Sequence, residues 1–219
     1  MYGKFISIEG FDGAGKSTQI AIIRDHLEKN GFEVICTREP GGTMYGEKLR
    51  SFLLNEKMCP MAELLTFAAA RAEHVETLIK PALEAGKIVI CDRFADSTYA
   101  YQGYARGFKT EVEELEKFVL RGFEPDHTLF FDITMTESAE RLLKRSDINE
   151  FDRADYEFKR KVYEGYRKRF LTNPHRMFLI DAMKTIGEVS NQVIYWLDNV
   201  FIPNQKLPTT AIERLQNAN

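Results

Sequence analysis

Five short runs, Phe5 to Glu9, Glu33 to Thr37, Lys87 to Cys91, His127 to Ile133 and Met177 to Ile180, are almost continuously apolar, and stretches of helical spacing separate them. This pattern leaves few folds open. A strand with one wet face alternates apolar and polar residues, whereas a parallel strand covered on both faces does not. Between the first two runs, Lys16 to Asn30 sets Ile20, Ile23 and Leu27 on one face and stops before Gly31, which suits a left-handed helix end. A loop, Arg38 to Thr43, and two helical stretches ending at Gly86 lead to the third run. A helix from about Glu111 to Arg121 precedes the fourth run, and Thr136 to Arg145 and Ala154 to Leu171 follow it. Thr185-x-x-Glu188 has the form of a capping box opening the last helix. Strand and helix in this alternation predict an α/β fold of three layers, a five-stranded parallel sheet flanked by helices and joined by right-handed crossovers.

The 219 residues show no Gly/Ser or Pro-rich linker, no internal repeat and no low-complexity run, so a single domain over 1–219 is expected. A chain of this length buries roughly 70% of its unfolded surface on folding. The polar stretch 146–155 reads as a short mobile insertion, and the tail from about 203 to 219 as weakly ordered. Thirty basic residues stand against 33 acidic ones, a net charge of −3 that leaves no excess for coating nucleic acid. No run approaches the ~20 apolar residues of a membrane span, and the first residues carry no export signal. Cys36, Cys59 and Cys91 show no C-x-x-C spacing and cannot all pair within one chain. The expected setting is a reducing cytoplasm, without a membrane or nucleic-acid partner.

The strongest local signal is Gly10-Phe11-Asp12-Gly13-Ala14-Gly15-Lys16-Ser17, which fits G-x-x-x-x-G-K-[ST] between an apolar strand and an amphipathic helix. Glycines let successive N–H groups point inward at phosphate oxygens, and the helix N-terminus adds partial positive charge. Lys16 would bridge the β- and γ-phosphates of a nucleotide and the Ser17 hydroxyl would ligate Mg²⁺, with Thr18 completing the binding set. The alternative is a glycine-rich turn that only connects strand to helix. Asp12 is out of place beside a triphosphate: two unit charges 4 Å apart repel by on the order of 4 kcal/mol at an effective dielectric of 20. It should turn toward a second ligand that offers hydroxyl groups, or else into solvent.

Other charges gather where strands end. Arg38-Glu39-Pro40-Gly41-Gly42-Thr43 closes the second strand, and Pro40 with the glycine pair holds Arg38 at the carboxyl edge of the sheet, where open α/β sheets bind ligands. Cys91-Asp92-Arg93-Phe94 closes the third. Asp92 suits a water shell around Mg²⁺, and Arg93 suits an anionic acceptor or the transferring phosphoryl group; mutual pairing is the plainer reading of either alone. Along Leu64 to Leu78, Leu64, Ala68, Ala72 and Val75 form the expected buried face. Phe67 and Arg71 lie one turn apart on another, able to stack on and bond a base, or simply to pack. Ser97, Thr98, Tyr101 and Gln102 follow Arg93 at helical spacing and offer hydroxyl and amide groups.

Four blocks together, Glu-Gly-x-Asp-Gly-Ala-Gly-Lys-Ser, Arg-Glu-Pro-Gly-Gly-Thr, Phe-Ala-Ala-x-Arg-Ala-x-His-Val and Asp-Arg-Phe-x-Asp-Ser-Thr-x-Ala-Tyr-Gln-Gly, resemble bacterial thymidylate kinases in order and spacing from residue 5 to about 170. The resemblance implies a P-loop NTPase fold and transfer of the γ-phosphoryl group of ATP to dTMP, giving dTDP and ADP, with Mg²⁺ as cofactor. It implies that Phe67 stacks on thymine, Arg71 bonds its carbonyl edge, and Thr98 and Gln102 lie near the base. Tyr101 would sit near the sugar carbon that in a ribonucleotide bears the extra hydroxyl, Asp12 would face the deoxyribose 3′-hydroxyl, and Arg38 and Arg93 would hold the dTMP phosphate. Members of the family are typically homodimers.

An arginine beside the transferring group is worth 10³ to 10⁵ in rate in related P-loop systems. The loop here has none, and the bacterial type supplies one from a lid. Arg141, Lys144, Arg145 and Arg153 flank the polar stretch; Arg153 is the first choice and Arg145 the second, although Asp152-Arg153-Ala154-Asp155 departs from the acid-rich pattern that usually follows the lid's Asp-Arg. Two rivals remain at this point. One is a kinase of another nucleoside or nucleoside monophosphate; the other is a P-loop regulatory ATPase that turns over ATP without an acceptor.

Overall fold

The computed structural model describes residues 2–143 and 155–205. Five strands, β1 (Lys4–Gly10), β2 (Val34–Arg38), β3 (Ile88–Asp92), β4 (His127–Asp132) and β5 (Met177–Asp181), form one sheet in the order β2-β3-β1-β4-β5, every neighbouring pair parallel. The expected strands therefore appear within a residue or two. The expectation that all five are covered on both faces holds only for the middle of the sheet. β2 is at an edge and keeps Cys36 and Arg38 exposed, and Leu179 of the other edge strand, β5, is 45% exposed.

Connections between the strands are helical. α1 (Lys16–Lys29) follows β1; α2 (Met44–Asn55), α3 (Pro60–His74) and α4 (Lys80–Glu84) follow β2, with a wide π turn at Val75–Ile79 joining the last two. α5 (Ala95–Thr98) runs through a second π turn, Tyr99–Ala105, toward α6 (Lys109–Leu120). α7 (Met135–Leu142), α8 (Tyr156–Thr172) and α9 (Ile186–Trp196) follow, α9 opening on the expected capping box between Thr185 and Glu188. Ile6, Ile8, Ile88 and Ile90 face Ile23 and Leu27 of α1 and Val189 and Val193 of α9. Phe5, Val89 and Cys91 face the other way, against Val75, Ile79 and Leu83.

That second face also carries buried polar groups. Ser7 bonds Thr128 at 2.6 Å, and Arg176 bonds Thr128 and both oxygens of Asp96 at 2.7–2.8 Å. Arg169 adds a further bond to Asp96. Burial alone would raise the Asp96 pKa, but the two guanidiniums outweigh it and hold the carboxyl well below the usual carboxylate range. This knot ties α5 and α8 to the sheet at the amino ends of β4 and β5.

α3 departs from the expected stripe. Leu64 and Val75 are buried, Ala68 and Ala72 only half so, and Glu63, Arg71 and His74 are buried with them. The helix turns a polar row inward because those side chains meet partners there. The polar stretch 146–155 lies outside the described residues except for Asp155, whose side chain accepts from the Phe158 N–H and caps α8. Of the tail, 203–205 are described, in a short 3₁₀ turn at Ile202–Asn204.

Candidate active site

At the carboxyl end of β1 the chain turns through Gly10, at φ 136°, where a Cβ would come within 2.5 Å of the Phe131 carbonyl oxygen. Gly15, at φ 84°, is the left-handed residue that starts α1. Between them Phe11 is buried, stacked on Tyr163 of α8 with ring centroids 6.1 Å apart, so the second loop position is a core anchor. Ser138 of α7 donates to the Asp12 carbonyl at 2.8 Å and fixes the loop from the other side. Lys16 is only 6% exposed and folds back over the loop, donating to the Gly10 and Phe11 carbonyls at 3.1 and 2.8 Å. Burial, with Arg93 nearby, lowers its pKa, and the Asp12 and Asp92 carboxylates counter that. Gly13 and Ala14 complete the turn, while Ser17 and Thr18 are exposed on the first turn of α1.

Beside this loop lies an open cleft. Asp12, Phe67, Arg71, Arg93, Ser97, Thr98, Tyr101 and Gln102 all line it, so residues from β1's loop, α3, β3 and α5 with its π turn converge. Asp12 turns to Arg93, accepting from its Nη2 at 2.8 Å, and lies 3.7 Å from Lys16 Nζ. Arg93 stands at φ 70°, a left-handed conformation that a non-glycine residue adopts only under tight constraint. Its Nη1 donates to Tyr166 at 2.8 Å and Ser97 at 3.2 Å, and its guanidinium sits 5.4 Å from the centre of the Tyr101 ring.

Arg71 is held from two sides. Its Nε donates to Glu39 Oε2 at 2.7 Å and its Nη2 to Thr98 at 2.9 Å. His74, one turn further along α3, bonds the second Glu39 oxygen at 3.0 Å through Nδ1 and Thr37 at 2.7 Å through Nε2. A buried guanidinium needs such a partner, because desolvation without one would cost several kcal/mol. The Glu39–Pro40 bond is cis, and Gly42 leaves the space that a Cβ, 2.5 Å from His74 Nε2, would take.

Arg38, expected at the phosphate, is placed elsewhere. It pairs with Glu47 at 2.9 Å, its side chain is 53% exposed, and it does not line the cleft. Arg50 of α2 does, donating to the Pro40 carbonyl at 2.8 Å. β2 ends with alternate residues on opposite faces: Glu39 goes inward and Arg38 outward, and helix α2 brings another arginine round. Arg145 and Arg153 lie outside the described residues, whereas Arg141 bonds Glu137 and reaches the Gly13 carbonyl at 3.4 Å.

Several residues at the site carry no prior role from sequence. Glu9, at the end of β1, accepts from the Phe94 N–H at 2.7 Å, from Ser97 at 2.5 Å and from Tyr166 at 3.3 Å. Burial first, then the Asp96 carboxylate, push its pKa up to about 7 against the pull of those bonds and of Arg93. An acid closing an otherwise apolar strand was the available signal. For Glu39 and Glu63 the signal would have been the demand of Arg71 and Arg106 for carboxylate partners, which sequence spacing does not supply.

Asp92 sits at the end of β3 with its Oδ1 buried and without a hydrogen-bond partner among the described residues. An orphaned carboxylate oxygen beside a phosphate loop is a fitting neighbour for a hydrated divalent cation, with Ser17 across the loop as the other candidate. Among the described residues no three His, Cys, Asp or Glu side chains gather into a ready-made cage. Mg²⁺ commonly uses one or two protein oxygens and fills its shell with water and phosphate.

Comparison with known proteins places the chain. The family model for thymidylate kinase matches residues 8–193. A thymidylate kinase of Exiguobacterium sibiricum is 42% identical over 197 residues, 88% of this chain and 93% of that protein. One of Caldanaerobacter subterraneus is 45% identical over 198 residues, covering 89% and 94%. The crystal structure of thymidylate kinase from Ehrlichia chaffeensis superposes with a TM-score of 0.74 at 36% identity, covering 90% of this chain and 99% of that one. With the phosphate loop and the adjoining cleft on the same sheet edge, the chain belongs to the thymidylate kinase family.

Proposed function

We propose that this protein transfers the γ-phosphoryl group of ATP to dTMP. The observation that carries the reading is the convergence of Phe67, Arg71, Thr98, Tyr101 and Gln102 with Asp12 and Arg93 in one cleft beside the phosphate loop. An acceptor-phosphate oxygen bonds to the γ-phosphorus as the bond to the β–γ bridging oxygen breaks, leaving dTDP and ADP. Such transfer asks a protein mainly to align the two oxygens and to neutralise charge. Loop N–H groups and Lys16 hold the donor phosphates. Arg93 holds the acceptor phosphate, with Arg50 taking the role that the sequence pattern offers to Arg38. Phe67 stacks on the base, Arg71 bonds its carbonyl edge, Tyr101 closes on the sugar and Asp12 receives the 3′-hydroxyl. When bound, Mg²⁺ would be held by Ser17 and, through water, Asp92, and would supply positive charge to the phosphates. Arg153, or else Arg145, provides the transition-state arginine.

The setting is cytoplasmic; among the described residues no helix is long and apolar enough to cross a membrane. A homodimer is favoured by α3 and α6, which pack together and leave Leu65 (50%) and Phe118 (74%) exposed. Coupled ADP-release assays with dTMP, dUMP, dCMP, dGMP and thymidine test the activity. Equal or greater turnover with any acceptor other than dTMP overturns the proposal, and ATP turnover without acceptor favours the regulatory-ATPase reading.

A further inference from the structure

Gln102 lines the cleft from the π turn after α5, and its side chain is bonded on one side only. Its Nε2 donates to Glu63 Oε1 at 2.8 Å. Glu63, in the first turn of α3, is buried and gripped by Arg106, which donates Nε to Oε1 at 3.0 Å and Nη2 to Oε2 at 2.7 Å. Arg106 in turn lies 5.2 Å over the centre of the Phe158 ring.

A primary amide offers a hydrogen-bond acceptor on one side and a donor on the other, and a half-turn exchanges them. Beside an apolar neighbour both orientations are open. A carboxylate held by a guanidinium accepts and does not donate, so Nε2 must face Glu63 and Oε1 is left to the cleft. Arg71, with Nε and Nη2 committed to Glu39 and Thr98, has its Nη1 donors left for the same space.

We infer that Glu63 is a positioning residue that selects the base: by fixing the Gln102 amide it makes the cleft present a donor beside an acceptor. This inference rests on the thymidylate reading above. A pyrimidine-2,4-dione meets that pair with a carbonyl oxygen and the adjacent N3–H. Cytosine offers an exocyclic amine and a bare N3, which leaves donor facing donor and acceptor facing acceptor. Buried polar groups left unpaired in this way are the effective means of rejecting a near-isostere.

The test is the ratio of kcat/KM for dCMP over dTMP in wild type, Glu63→Met and Glu63→Gln. Glu63→Met, which frees the amide to turn, raises the ratio about tenfold and raises KM for dTMP more than it lowers kcat. Glu63→Gln keeps the volume and one oxygen for Arg106 and raises the ratio by about threefold. Arg106 is partly exposed and can reach solvent in either variant. A ratio within twofold of wild type in the folded variants, or an equal fall for both acceptors, overturns the inference; should Glu63→Met not fold, Glu63→Gln decides alone. Failure of the underlying reading shows separately, as a wild-type enzyme that does not favour dTMP.

Discussion

On the proposed reading, the phosphate loop and the cleft beside it hold their ligands by different means. On the donor side, phosphate recognition is backbone N–H groups, a helix N-terminus and one lysine, all within Gly10 to Thr18. On the acceptor side, the polar groups that meet the cleft are already engaged: Arg71 with Glu39, Arg93 with Asp12, Arg50 with the Pro40 carbonyl, and the neutral amide of Gln102 with Glu63. A loop of main-chain donors recognises any triphosphate, since nothing in it but Asp12, which turns to the acceptor side, reads a base or sugar. Paired side chains, with their rotamers fixed and only chosen atoms left over, can discriminate. Specificity therefore belongs to the acceptor side and raw charge stabilisation to the donor side.

The largest effect should come from the donor side. Lys16→Ala removes the one basic side chain of the loop, and kcat is expected to fall about 10³-fold. Lys16 bonds the Gly10 and Phe11 carbonyls and pairs with Asp12, all within its own loop, so the melting temperature should stay within a few degrees of wild type. A loss of stability that accounts for the lost activity would show that Lys16 serves the fold instead. Arg71→Lys probes the other side. It keeps a cation opposite Glu39 but loses the fork that reaches Glu39, Thr98 and the cleft at once. KM for dTMP should rise about 100-fold, KM for ATP hardly at all. If both constants rise together, the division between the two sides is wrong.

How legible each side was in sequence follows from the same contrast. The donor loop is contiguous, so eight residues and their setting between strand and helix sufficed. So did the sheet, because almost continuous apolar runs admit little else. The acceptor cleft is assembled from five segments, and sequence yielded the side chains that end there but not those that hold them. Arg38 shows the limit: an arginine at the right strand end, yet the pleat sends it outward to Glu47 while Glu39 turns in, and Arg50 arrives from α2. The buried row of α3 failed for a related reason. Glu63, Arg71 and His74 read as a polar face until Glu39, Gln102 and Arg106 are brought beside them.

Glu9 joins the two sides, ending β1 just before the loop and bonding Ser97 and Phe94 on the acceptor side. Its carboxyl has an ordinary value of 4.5 and is pushed up to about 7 in the folded protein, mostly by burial. A raised carboxyl pKa means that the native state holds the proton more tightly than the unfolded chain. The stability this confers is complete below 4.5 and is lost as pH rises through about 7. Between pH 5.5 and 8 the wild type should lose about 2 kcal/mol relative to Glu9→Gln, which carries no titrating group there. Urea unfolding of the two proteins at both pH values measures it: the variant gains on the wild type as pH rises. A difference independent of pH would mean that Glu9 titrates outside this window. The same ionisation places a charge beside Ser97 and Arg93, so in wild type, but not in Glu9→Gln, KM for dTMP should change across neutral pH while KM for ATP stays level. An equal response of both constants would mean that donor and acceptor sides are coupled through β1, against the separation the geometry supports.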